Sequence, residues 1–226
     1  MTALLFDLDG TMVDSDGDHL IAFQKVFAPL GIPLDRATYT AQIMGASNAM
    51  IGARFLAHLT DAEREAVLDA KEAAYREGLV ALAPTPGAAE LLAYAEAHGL
   101  PCAVVTNAPR ANADVVLKAI GFAHRLRIVV IGGELARSKP DPLPYLTALE
   151  LTGAHAAQAV AFEDSVSGVR AAVAAGIAVV GITTGLSEPA LVAQGAAFGA
   201  ADFRDPRIYA LIESRRGSAC ASPHLR

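Results

Sequence analysis

The chain has 226 residues, 53% of them apolar, with a formal net charge of −6 and a pI near 5.5. That length suits one large domain, or a core carrying a smaller insertion, and the acidity argues against non-specific attraction to nucleic acid or to anionic lipid. Cys102 in an apolar run and Cys220 in a polar tail make no disulfide framework, the N-terminus has no signal-peptide pattern, and no run reaches the ~20 apolar residues of a membrane span; the chain reads as a soluble cytoplasmic protein.

In chain order, residues 3–6 predict a strand that runs into Asp7-Leu8-Asp9-Gly10-Thr11. Residues 15–83 differ in character, with helical spacing over 24–30, 49–59 and 61–78 and no convincing strand. Pro84-Thr85-Pro86-Gly87 reads as a hinge where that block ends. From residue 100 onward, strands are predicted at 102–105, 128–131, 159–162 and 178–181. Helices over 111–120, 142–151 and 166–175 alternate with them, and Gly121, Gly153 and Gly176 stand where helices stop. This rhythm predicts parallel strands joined by right-handed helical crossovers. The fold class is therefore α/β, with a core from 1–14 and 84–226 interrupted by an α-helical insertion at 15–83. Residues 215–226, rich in Arg, Ser, Ala and Pro, are expected to fray.

Four polar clusters follow predicted strands, where a parallel sheet gathers its ligands. In the first, Asp7 and Asp9 place two carboxylates on one side of an extended strand. A metal-bound, ionised Asp7 can attack phosphorus, Asp9 can protonate the leaving alcohol and later activate water, and Gly10 permits a tight turn beside a phosphate. The same residues could instead make an ordinary strand-ending turn. In the second, Thr106 and the adjacent backbone amides can bind phosphate oxygens, although Asn107 could simply cap the next helix. In the third, Lys139 can neutralise both nucleophile and phosphoryl group, or stand solvated among Pro140 and Pro142. In the fourth, Asp164 and Glu163 could join Asp7 in holding Mg²⁺, a hard cation that prefers oxygen, while Asp164 or Ser165 could cap a helix.

These motifs, Asp7-Leu8-Asp9-Gly10-Thr11, Thr106-Asn107, Lys139-Pro140-Asp141-Pro142 and Glu163-Asp164-Ser165, resemble the four ordered motifs of the haloacid dehalogenase superfamily across nearly the whole chain. The helical block between the first and second motifs is similar to that of its helical-cap phosphatase and β-phosphoglucomutase branch. The resemblance implies a Rossmann-like core, a mobile cap, Mg²⁺ as cofactor and an aspartyl-phosphate intermediate. It implies that Asp7 is nucleophile and metal ligand, and that Asp9 is acid/base and also offers its backbone carbonyl to the metal. Thr106 and Asn107 would contact phosphate, Lys139 would orient it, and Glu163 and Asp164 would complete the metal site. His19, in the segment leading into the cap, would approach substrate or couple cap closure to the core, or else be a packing histidine.

Departures from the branch bear on the reaction. Asn48, a candidate substrate contact, and Met44 stand where a mutase cap would be expected to carry charge, which favours hydrolysis of a small phosphorylated metabolite, a sugar phosphate or phosphoglycolate-like ester. A phosphomutase is the alternative, and a catalytically silent phosphate-binding protein a third. Dehalogenases lack the second acid, so Asp9 speaks against them. The cap lysine of the phosphonate-cleaving branch has no counterpart in a convincing motif, since the block offers only Lys25 and Lys71.

Overall fold

The structure is a computed structural model that describes residues 1–79 and 81–217. Six strands, β1 (Leu4–Phe6), β2 (Cys102–Thr106), β3 (Ile128–Ile131), β4 (Val160–Glu163), β5 (Ala178–Ile182) and β6 (Phe198–Ala200), form one parallel sheet in the order β3-β2-β1-β4-β5-β6. The inner strands read as unbroken apolar runs because both of their faces are covered. One face packs Phe6, Leu8, Val104 and Phe162 against Leu91, Phe203 and Ile208. The other packs Leu5, Val105 and Ala161 against Tyr145, Ala148 and Val169.

Ten helices surround or extend this sheet among the described residues. Four lie in the helical block: α1 (Asp16–Phe27), α2 (Arg36–Gln42), α3 (Asn48–Phe55) and α4 (Asp61–Gly78). The remainder are α5 (Ala88–Ala97), α6 (Arg110–Ala119), α7 (Leu143–Thr152), α8 (Val166–Ala174), α9 (Glu188–Val192) and α10 (Pro206–Gly217). The block has an apolar cluster of its own, built on Phe23, Phe27, Leu34, Tyr39, Ile43, Ile51, Leu56 and Leu68. Local signals start its helices. Ser47 accepts from Met50 N at the head of α3, and Thr60 with Glu63 makes a capping box on α4. The chain enters and leaves the block side by side, since Thr85 N donates to Met12 O and Thr85 Oγ1 to Thr11 O.

Several expected bounds move. The first helix begins at Asp16 rather than 24, because His19, Ala22, Phe23 and Phe27 fall on one buried face. The helix expected over 49–59 ends at Phe55, and α2, α5, α9, α10 and β6 are additions. The chain expected to fray from 215 is helical through Gly217; residues 218–226, Cys220 among them, lie outside the described residues. Among the described residues Cys102 is a free thiol, and burial pushes its pKa up to about 12. No helix among the described residues is long and apolar enough to cross a membrane.

Candidate active site

The carboxyl ends of β1, β2 and β4 bring the four clusters together. Asp7 follows β1 directly, and its amide donates to Phe162 O of β4, so the two acidic strand ends are tied to each other. Lys139, far away in sequence and 2% exposed, reaches between them. Its Nζ lies 2.6 Å from Asp7 Oδ1, 2.5 Å from Glu163 Oε1 and 2.6 Å from Val105 O. Burial works against the lysine charge, but the two carboxylates outweigh it and raise the pKa. Lys139 is therefore no solvated loop residue.

The capping alternatives are resolved by where the side chains point. Ser165, not Asp164, caps α8, accepting from Gly168 N at 3.1 Å. Asn107 caps nothing: α6 begins after Pro109 without a side-chain cap. Its amide instead donates to Gly45 O (3.0 Å) and Lys139 O (3.2 Å) and accepts from Lys139 N through Oδ1 (3.2 Å). Thr106 is buried at the end of β2, and its hydroxyl accepts from Ala108 N at 3.0 Å, which leaves its own proton to donate.

Asp7, Glu163 and Asp164 offer carboxylate oxygens within 4.8 Å of one another, and all three are buried. Burial, followed by repulsion from Asp7 and Glu163, raises the Asp164 pKa well above the carboxylate range. Burial likewise dominates the raised value at Asp7, where Lys139 pulls the other way. Three buried carboxylates facing one lysine lack positive charge, and a hard divalent cation would supply it to an all-oxygen donor set. The residues fit Mg²⁺. Within the trio, Glu163 is the most occupied, since Oε1 also accepts from Tyr145 Oη (2.6 Å) and Oε2 from Ser165 Oγ (3.4 Å). Its first service is to hold Lys139.

Gly10 shows how tightly this corner is built. Its φ is +81° and a Cβ there would sit 2.2 Å from Asp164 Oδ2. Gly10→Ala is expected to cost about 1–2 kcal/mol through the left-handed backbone alone and to displace Asp164. Thermal melts should then show a lower Tm and a smaller Mg²⁺-induced rise than in the parent protein.

The Asp9 side chain turns away from the trio, towards the helical block, so any metal contact from Asp9 would have to come from its backbone. Ser15 Oγ donates to Asp9 Oδ1 (2.6 Å), as does Tyr75 Oη (3.2 Å), and His19 Nε2 lies 3.3 Å away. Burial would raise its pKa, yet the charge and hydrogen bond of His19 and the bond from Ser15 draw it down to about 2. His19 stacks on Tyr75 with ring centroids 3.9 Å apart, and its Nδ1 meets Lys71 Nζ at 3.0 Å. It is packed into the site rather than exposed. Asn48 also reaches the pocket, where its amide donates to Glu72 Oε1 (2.9 Å).

Lys71 was discounted from sequence for want of a motif, yet it is 3% exposed and lines the pocket with Glu72 beside it. Tyr75 was missed too. Both had a signal: Leu68, Lys71, Glu72 and Tyr75 form the buried face of α4, so an ion pair occupies positions that helical spacing reserves for apolar side chains. The block also touches the sheet's loops through Gly45, whose carbonyl accepts from Asn107 and from Ser167 Oγ (2.6 Å).

Residues 4–182 match the family profile of the haloacid dehalogenase-like hydrolases. The chain belongs to that family. Among curated relatives it is 34% identical to validoxylamine A 7'-phosphate phosphatase of Streptomyces hygroscopicus subsp. limoneus, over 80% of this chain and 84% of that protein. It is 33% identical to phosphoglycolate phosphatase of Rhodospirillum rubrum, over 86% and 84%. Among solved structures, CbbY of Rhodobacter sphaeroides in complex with xylulose-(1,5)bisphosphate superposes with a TM-score of 0.79 and 28% identity, covering 90% of this chain and 95% of that one.

Proposed function

We propose that this chain is a Mg²⁺-dependent phosphatase that hydrolyses a small phosphorylated metabolite through a phosphoryl group carried on Asp7. The observation that carries the reading is Lys139 Nζ held 2.6 Å from Asp7 within a buried group of three acids. Asp7 and Asp164, with Glu163 and the backbone carbonyl of Asp9, would hold the ion. When bound, Mg²⁺ supplies charge neutralisation to the nucleophile and the phosphoryl oxygens.

In the first half-reaction an Asp7 carboxylate oxygen bonds to phosphorus while the bond to the leaving oxygen breaks; Asp9, ionised here beside His19, takes up a proton as substrate binds and gives it to that oxygen. In the second, Asp9 takes a proton from water, water oxygen bonds to phosphorus, and the bond to Asp7 breaks to release phosphate. Lys139, Thr106 and Asn107 orient the phosphoryl oxygens. Residues 15–83 act as a cap over the core of 1–14 and 84–226. They close through Gly45 and carry His19, Lys71 and Tyr75 against Asp9, so that water is excluded during the first step and product leaves on reopening.

The family and the relatives' activities support a cytoplasmic enzyme of small-molecule metabolism. A screen of sugar phosphates, phosphoglycolate and nitrophenyl phosphate should release inorganic phosphate with Mg²⁺ and none after chelation. Turnover that persists without divalent metal, or no turnover of any phosphomonoester, would sink the reading.

A further inference from the structure

Resting on the phosphatase reading above, we propose that the substrate is the phosphate ester of a neutral, sugar-like alcohol, and that the pocket discriminates against a second phosphate or a carboxylate in the leaving group. The inference comes from the charges that line the cavity. Lys139 is committed to Asp7 and Glu163 at the phosphoryl end. Away from that end, the described lining residues include one lysine and no arginine. That lysine, Lys71, is bound to Glu72 Oε2 at 3.0 Å and touches His19 on its other side.

Glu72 is held in place independently, by Asn48 Nδ2 at 2.9 Å and Asn112 Nδ2 at 2.6 Å. Arg76, the next cation along α4, is turned onto Asn112 Oδ1 (2.7 Å) and does not line the cavity. Asp16 adds a further acid to the lining, its Oδ1 accepting from Tyr39 Oη at 2.7 Å. Beyond Lys139 and the acids that it holds, the lining thus sets Lys71, and His19 already held on Asp9, against the three carboxylates of Glu72, Asp16 and Asp9. A ligand anion would have to share Lys71 with the buried carboxylate of Glu72, which already offsets its charge. Phe23, Ile43, Met44 and Ile51 add an apolar surface beside the polar Tyr39 and Asn48, a lining that suits a neutral ring or polyol. The related CbbY holds a bisphosphate, so the architecture admits one; here the lining charges decide against it.

The test is a set of matched pairs with Mg²⁺: glycerol 3-phosphate against 3-phosphoglycerate, and glucose 6-phosphate against both 6-phosphogluconate and glucose 1,6-bisphosphate. The neutral member of each pair is expected to have a kcat/KM at least about tenfold higher, because a like-charge contact in a partly buried site costs more than the ~1.4 kcal/mol that tenfold represents. Glu72→Gln releases the charge of Lys71, so it should narrow the gap by about tenfold, chiefly by lowering KM for the anionic member. Comparison within one variant cancels any general loss of fold. Anionic members turned over as well as or better than neutral ones overturn this inference and leave the phosphatase reading intact, as does a ratio unmoved by Glu72→Gln. Failure to hydrolyse any ester, nitrophenyl phosphate included, overturns both.

Discussion

Asp7→Asn is expected to lower kcat by on the order of 10⁴-fold or more, since an amide of the same shape cannot form the bond to phosphorus. Folding should barely change. The amide removes one of three crowded carboxylates, and Lys139 keeps Glu163 at 2.5 Å and Val105 O at 2.6 Å. Lost pairing and relieved repulsion oppose each other, and the net shift in stability should stay within about 1 kcal/mol. Phosphate-release assays beside thermal melts check both halves. Activity within about tenfold of the parent would make Asp7 a bystander.

Lys139→Met is expected to damage both chemistry and fold. It deletes the lysine that Asp7 and Glu163 share and leaves buried carboxylates without their cation. Breaking a buried pair from one side costs about 3–5 kcal/mol, and activity should fall by at least about 10³-fold with the loss of charge stabilisation. The pH dependence has a definite sign. Asp7 and Asp164 lie above their unfolded values even with the lysine present, so the native state binds more protons than the unfolded chain, and stability falls as pH rises through the folded-state values. Without Lys139 these values rise further. The penalty should therefore be largest near neutrality and shrink on acidification towards pH 5, in denaturant titrations compared across that range. A penalty independent of pH would mean that lost packing, not unpaired charge, destabilises the variant.

The sheet and its four polar strand ends were legible because each depends on a few consecutive residues. An apolar run ending in Asp7, Thr106 or Glu163 announces both the strand and the group that it carries. What needed the structure was direction. Whether Asn107 capped a helix or gripped the Lys139 backbone could not be told from its neighbours, because its partners at Gly45 and Lys139 are 62 and 32 residues away. The edge strand Phe198–Ala200 was missed since a short run containing Gly199 lacks the β-branched signature of the inner strands. The opening turn of α1, Asp16-Gly17-Asp18, reads as loop, and its helical state follows from the packing of His19, Phe23 and Phe27. Lys71 stands in no convincing motif; it becomes meaningful only beside its helix neighbour Glu72 and against His19 and Asp9, which the fold brings from other elements.

A phosphoryl group carried on Asp7 can be trapped and located. Asp9→Asn should slow dephosphorylation, while nitrophenol leaves without needing a proton, so mixing this variant with nitrophenyl phosphate and Mg²⁺ should accumulate the intermediate. After acid quench and digestion, one phosphoryl group is expected on the peptide that contains Asp7, removable by hydroxylamine as an acyl phosphate is. Phosphate released over many turnovers with that peptide unmodified at every quench time, or a phosphoryl group found on His19, would contradict that expectation.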